Sequence, residues 1–169
     1  MATRPELETA RLTLRRFEFD DAPFVVELLN QPSFIQNIGD RGVRNVADAQ
    51  RYLREGPMAM YDRYGFGLWR ASRRSDGVFV GMCGLLKRDT LPGPDIGFAF
   101  LERHWGKGYA QEAARAVMDD ARERLGIRRI LGVTAPHNLA SGRVLEKVGL
   151  RFVDVREVGG KESRFYEWP

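Results

Sequence analysis

The sequence predicts one mixed α/β domain with elements in the order β-αα-βββ-α-β-α-ββ. Three observations carry that prediction. First, 169 residues (1–169) suit a single domain large enough to bury a core. Second, short apolar runs bounded by Gly, Pro and Asp alternate with stretches whose apolar residues recur at 3–4 spacing. Third, the apolar run Ile96-Gly97-Phe98-Ala99-Phe100-Leu101 enters an Ala-rich periodic stretch through the octet Arg103-His104-Trp105-Gly106-Lys107-Gly108-Tyr109-Ala110. That is a strand, a Gly-rich loop and a helix.

Thr9 to Phe17 alternates around Leu12 and Leu14, a strand with one buried face. Asp20 or Asp21 can cap the next segment, Pro23 fits a first turn, and Phe24, Val25, Leu28 and Leu29 form a helical stripe ending near Pro32. After a loop through Gly39-Asp40-Arg41-Gly42, Asn45 can cap a second helix bearing Val46, Ala49, Tyr52 and Leu53. Gly56-Pro57 is expected to interrupt it, with a short turn at Met58 to Tyr61. Phe66–Ala71, Val78–Lys87 and Ile96–Leu101 read as three strands, with Asp76-Gly77 as the first hairpin turn. Ala113, Ala114, Val117, Met118, Ala121 and Leu125 make the helix after the octet, and Gly126 stops it. Ile130–Thr134 reads as a buried strand and Asn138–Val148 as a helix closed by Gly149. Phe152–Val158 and Ser163–Trp168 form a hairpin about Gly159-Gly160.

The octet has the makings of an anion site. The first N–H groups of a helix lack internal partners, and the helix dipole adds positive character there. Gly106 and Gly108 have no Cβ to hold a large anion off the backbone, and Arg103 and Lys107 add charge. No stretch fits the nucleotide-hydrolase phosphate loop, and Gln111 stands where a dinucleotide fingerprint needs its third Gly. What remains is R-x-x-G-x-G, from Arg103 to Gly108, read as a pyrophosphate cradle.

Composition excludes other classes. No run approaches the ~18 apolar residues of a membrane span. Met1-Ala-Thr-Arg-Pro-Glu6 has no apolar core of a signal peptide, so a cytoplasmic location is expected. Cys83 lies in an apolar run and reads as a buried thiol, and the two His residues form no metal cluster, so no metal is expected. A net charge of +4 suits an anionic cofactor or a ribosomal or acidic partner; solubility alone also explains it.

The R-x-x-G-x-G signature resembles the acetyl-CoA-binding signature of the GNAT N-acetyltransferases. Leu7-Glu-Thr-Ala-Arg-Leu-Thr-Leu-Arg15 resembles the opening of the RimJ/RimL-like branch, which acetylates ribosomal-protein N-termini. Trp105-Gly-Lys-Gly-Tyr-Ala-Gln-Glu-Ala113 resembles its cofactor loop. His137-Asn138-Leu-Ala-Ser141 with Glu146-Lys-Val-Gly-Leu150 resembles its later N-x-x-S…EK-x-GF segment. The resemblance spans essentially the whole chain and implies the GNAT acyl-CoA N-acyltransferase fold.

It also implies a set of roles. The pantetheine arm would lie between two splayed parallel strands, bonded by the Phe98-Ala99-Phe100 backbone like an added strand. Arg103, His104, Trp105, Gly106, Lys107, Gly108, Tyr109 and Ala110 would hold the pyrophosphate. Asn138 would bond the arm, and Ser141 would sit near the sulfur and assist the departing thiolate. An amine would attack the thioester directly, its carbonyl polarised by the N–H of Phe100 or Leu101. Many members carry a Tyr acid seven residues after the Asn, where this chain has Leu145. Asp95 and Glu102, at the two ends of one strand, are the candidate bases, although each also reads as a solvated strand-end charge. Glu112 reads as a dipole partner, and His104 as an exposed loop residue with a suitable pKa.

The expected partners are acetyl-CoA and an amine acceptor: a peptide N-terminus or a small amine. Without a strong base, a low-pKa amine is favoured, since an α-amine near ~7.7–8.0 is roughly a tenth deprotonated at neutral pH and a Lys near ~10.4 below a thousandth. Tyr61 and Tyr64 are the candidates for lining the acceptor site. Trp168, read as lying on an edge strand, would pair with a second copy in a homodimer. The competing readings are a non-catalytic acyl-CoA-binding module, suggested by the missing Tyr, and a nucleic-acid binder.

Overall fold

A computed structural model describes residues 5–168. Met1–Arg4 and Pro169, and with them most of the segment read for a targeting signal, lie outside the described residues. One mixed sheet of eight strands runs in the order β1-β2-β3-β4-β5-β6-β8-β7. The strands are β1 (Pro5–Glu8), β2 (Leu12–Arg15), β3 (Leu68–Arg73), β4 (Phe79–Leu86), β5 (Asp95–Phe100), β6 (Ile130–Thr134), β7 (Arg151–Val158) and β8 (Lys161–Trp168). The helices are α1 (Ala22–Leu29), α2 (Pro32–Asn37), α3 (Val46–Leu53), α4 (Ala59–Tyr64), α5 (Tyr109–Glu123) and α6 (Leu139–Lys147).

The expected elements are present, and three readings change. The single opening strand is a hairpin, β1 with β2, whose turn is held by Thr9 N donating to Leu12 O at 2.9 Å. The first helix ends at Leu29, near Pro32 as expected, but Pro32 itself opens a further short helix, α2, where its missing N–H costs nothing. Gly56-Pro57 does not break the rod between α3 and α4. A π-turn over Arg54–Met58 carries the chain through, and Pro57 sits inside it, where the wider turn relaxes the α-helical demand for its N–H.

The helices cover both faces of the sheet. Val80, Cys83, Leu85 and Ile96 pack under Ala113, Ala114, Val117 and Met118 of α5 and Leu145 of α6. Phe79, Met82 and Leu68 face the other way, against Val25, Leu28, Leu29, Phe34 and Leu53 of α1, α2 and α3. Val80 and Cys83 share a face although three residues apart, because a register shift at Ala71/Ser72 marks a bulge in this pair. Cys83 is fully buried and its thiol pKa is pushed up by desolvation. The outermost strands are β1 and β7. Trp168 lies on β8, an internal strand, opposite Ile130 of β6. It therefore offers no free edge to a second copy. No helix among the described residues is long and apolar enough to cross a membrane.

The feature that positions a site is the junction of β5 and β6. They run parallel, and their pairing rests on one register position, Asp95 opposite Leu131, backed by Leu131 N to Pro94 O at 2.9 Å. Beyond it the strands diverge.

Candidate active site

The gap between β5 and β6 opens into a cavity of about 860 Å³. On one side it is walled by α2, by Tyr52 and Met60, and by Met82 and Leu86. It passes the Ile96–Phe100 backbone and reaches the start of α5 and the face of α6 on the other side. Asn37 Oδ1 on α2 meets His137 Nε2, just before α6, at 2.8 Å and ties the two walls together.

Strand alternation determines which β5 amides reach this gap. Leu101 N donates to Val80 O at 2.9 Å, so that N–H is spent on β4 and is not a free donor, contrary to one of the two expectations. In an antiparallel pair the amide groups of successive residues point to opposite edges. Phe100 and Phe98 therefore point away from β4. The Phe100 carbonyl bears this out, since it accepts from Trp105 Nε1 at 2.8 Å and from Gln31 Nε2 at 3.4 Å. The N–H of Phe100 is directed to the same edge, into the gap.

The octet forms a 3₁₀ turn, a Gly-punctuated bend and the first turn of α5. Gly106 and Gly108 have φ of 76° and 81°, a region that admits Gly at little cost. A Cβ on Gly106 would meet nothing within 4 Å, so the bend is open rather than packed. Gly108 is the N-cap and supplies no side chain, leaving the first-turn N–H donors of α5 without a side-chain cap. Open space, uncapped donors and the positive end of a fifteen-residue helix fit a pyrophosphate.

The structure sorts the residues named from sequence. Phe98, Ala99, Phe100, His104, Trp105, Gly106, Gly108, Tyr109, Ala110, Asn138 and Ser141 line one cavity. Asn138 caps α6, accepting from Ser141 N at 3.3 Å and donating to Ser141 Oγ at 2.9 Å. Leu145 is buried against Gly132 and supplies no protic group.

The remaining residues lie elsewhere. Arg103 is ion-paired to Glu27 of α1, and Lys107 points to solvent away from the cavity. Tyr61 is core: its hydroxyl donates to Leu68 O, accepts from Phe17 N, and its ring stacks on Trp69 at 4.8 Å. Tyr64 stacks on Phe66 at 5.3 Å, outside the lining. Glu102 accepts from Ser33 N at 3.3 Å, at the start of α2.

Asp95 is fully buried, not solvated. Both its oxygens accept from Arg88, at 2.8 and 3.2 Å, and burial raises its pKa to about 6 despite that partner. His104 is not exposed either. It is 7 % accessible, its two ring nitrogens have no partner, and burial, aided by Arg103, Arg73 and Lys107, lowers its pKa. Glu112 does more than face the dipole. It accepts from Thr9 and from Arg11 and so fastens α5 to the β1–β2 turn, and these bonds outweigh its burial and lower its pKa.

Sequence reasoning missed part of the wall. Thr134, at the diverging end of β6, lines the cavity with a buried, unpartnered hydroxyl. Tyr52, Arg41, Arg88 and Asn37 line it as well. Tyr52 belongs to the helical stripe of α3 and packs against its core, and it also borders the cavity. No carboxylate lines the cavity among the described residues. No cluster of potential metal ligands occurs among them.

Known proteins resemble this chain over most or all of its length. The family described as the acetyltransferase (GNAT) domain matches residues 11–151. The Bacillus subtilis protein YkkB is 32 % identical over 99 % of this chain and 97 % of its own. An acetyltransferase structure from Agrobacterium tumefaciens superposes with a TM-score of 0.85 at 25 % identity, covering 100 % of this chain and 96 % of that one. The RimL ribosomal L7/L12 α-N-protein acetyltransferase, in complex with coenzyme A, shares the fold with a TM-score of 0.82 at 16 % identity over 97 % of each chain. With a family match across most of its length and a relative of this closeness, the chain belongs to the GNAT acetyltransferase family.

Proposed function

We propose that this N-acetyltransferase moves the acetyl group of acetyl-CoA to a primary amine, either a peptide N-terminal α-amine or a small amine, by direct attack in a ternary complex. The observation that carries the reading is the continuity of the β5–β6 gap with the uncapped start of α5 in one cavity. Acetyl-CoA, when bound, supplies the activated acetyl group. The chain's own groups would do the rest. Gly106 and Gly108 give the diphosphate access to backbone donors, and Thr134 Oγ1 and the Phe98 amide are unspent partners for a peptide-like arm. The Phe100 N–H is the donor available to the thioester carbonyl. Ser141 offers a hydroxyl on α6, where Leu145 replaces a Tyr.

No carboxylate lines the cavity among the described residues, and burial with neighbouring cations makes His104 a weaker base, so proton removal falls to water or to the amine's own equilibrium. This favours acceptors already partly neutral at working pH. The test is a thermal-shift titration with acetyl-CoA, with adenosine diphosphate as control, followed by CoA release over an amine panel. Ligand at a hundred times its Kd should add ~2.7 kcal/mol of stability, roughly 5–10 °C at this size. No shift at millimolar acetyl-CoA, or no amine that releases CoA above hydrolysis, would overturn the reading.

A further inference from the structure

The acceptor side of the cavity is rich in donors and poor in acceptors. Arg88 holds Asp95 through Nε and Nη2, at 3.2 and 2.8 Å, which fixes its guanidinium plane and leaves Nη1 without a partner on the cavity wall. Arg41 sits on a loop that is pinned from both sides. Gly42 N donates to Asp40 Oδ1 at 2.9 Å, and Asn30 Nδ2 donates to Val43 O at 2.7 Å. Within that loop Arg44 takes Asp40 as its ion-pair partner, so the Arg41 guanidinium has none among the described residues. Tyr52 lines the same cavity as these two cations; burial keeps its hydroxyl protonated, and it makes no hydrogen bond among the described residues. Asn37 Oδ1, an acceptor on a residue of the same lining, is spent on His137. Around the three donors the wall is apolar: Phe34, Ile38, Met60, Met82 and Leu86.

A cationic amine acceptor finds nothing here to bind and two guanidiniums to repel it. An oxyanion finds three donors on residues that line one cavity. From this juxtaposition we infer that the acceptor is a small amine with an apolar body and an oxyanion, carboxylate or phosphate, held by Arg41, Arg88 Nη1 and Tyr52. Asp95 is a positioning residue in this arrangement, acting through Arg88. The inference rests on the amine-acetylation reading and narrows its acceptor.

The experiment compares matched acceptors at saturating acetyl-CoA on the full chain: leucine, methionine and phenylalanine with their carboxamides, and 2-aminoethyl phosphate with ethanolamine. A peptide pair with an acidic or a neutral second residue is the third arm. Rates are taken per unprotonated amine, because a carboxylate raises the pKa of a neighbouring amine. A charged hydrogen bond is worth on the order of 10- to 100-fold. The acids should exceed their neutral partners by at least about tenfold in kcat/KM, through KM. Arg41→Gln should erase most of that ratio while the thermal shift with acetyl-CoA persists, which rules out misfolding. A preference in the phosphate pair alone identifies phosphate as the group; one in the amino acids alone identifies carboxylate. Acids no better than amides, a preference for diamines, or turnover of peptides alone would overturn the inference and leave acetyl transfer standing. CoA release from no amine at all would remove both.

Discussion

The Ser141 hydroxyl accepts from Asn138 Nδ2 at 2.9 Å and lines the cavity, so its own proton is free to point inward. With Leu145 buried, no tyrosine on α6 competes for the role of acid. A thiol with a pKa near ~8.5 leaves tolerably as thiolate, so the help needed is small. Ser141→Ala should lower kcat roughly tenfold, at or below the low end of acid catalysis, with KM for acetyl-CoA held. An unchanged kcat would return Ser141 to the role of a helix-cap partner. Asn138→Ala should differ by also destabilising the fold by about 1 kcal/mol, because it removes the cap of α6. Asp95 invites a different measurement. Its folded pKa of about 6 lies above the unfolded value near 3.9, so the native state holds the proton more tightly. That favourable contribution is complete below about pH 4 and is lost as pH rises through about 6, a decline of roughly 3 kcal/mol. Asp95→Asn should flatten this part of the stability curve, as read from urea midpoints between pH 4 and pH 7. A wild-type curve already flat there would mean that Arg88 offsets the burial fully.

At the scale of elements, the start of α5 concentrates the cost of making an anion site. Gly108 caps the helix at φ 81°, and Gly106 precedes it at 76°. A residue with a Cβ in this left-handed region costs about 1–2 kcal/mol, and it also crowds the donors. Gly108→Ala should therefore lower the melting temperature by several degrees and raise the Kd for acetyl-CoA at least about tenfold, by calorimetric titration. Equal loss of stability with unchanged Kd would show that the donors of this turn are not what holds the cofactor. The same element shows what sequence can reveal. R-x-x-G-x-G, the Ala stripe and Gly126 are local signals, each determined by backbone conformation or by one helix face, and all were legible. What Arg103, Asp95 and Tyr61 touch was not legible. Arg103 reaches Glu27, seventy-six residues away, and Tyr61 reaches Phe17, forty-four away. Partners so distant leave no pattern around either residue. Local rules also gave the wrong sign at Pro57, because proline excludes an α-turn but not the wider π-turn the chain adopts there.

Across the whole molecule the sheet order was not legible: the resemblance implied two splayed parallel strands, but nothing local says that β8 rather than β7 joins β6 or that β5 and β6 part after one position. That parting creates the cavity, and the cavity decides the pH behaviour of catalysis. The titratable groups on its wall are unsuited to the neutral range. Burial pushes Tyr52 up, and burial with Arg103, Arg73 and Lys107 pushes His104 down, so both stay neutral near pH 7–9. No carboxylate stands among them in the described residues. The ionisation that governs kcat/KM should then belong to the acceptor. Its logarithm should rise with unit slope and level off at the amine's own pKa, because only the neutral amine attacks. An acceptor whose amine titrates near ~8 and one near ~10 should give profiles displaced by about two pH units. A shared inflection below the ordinary imidazole range, the same for both amines, would instead report an enzyme base, and His104 would be the residue to replace first.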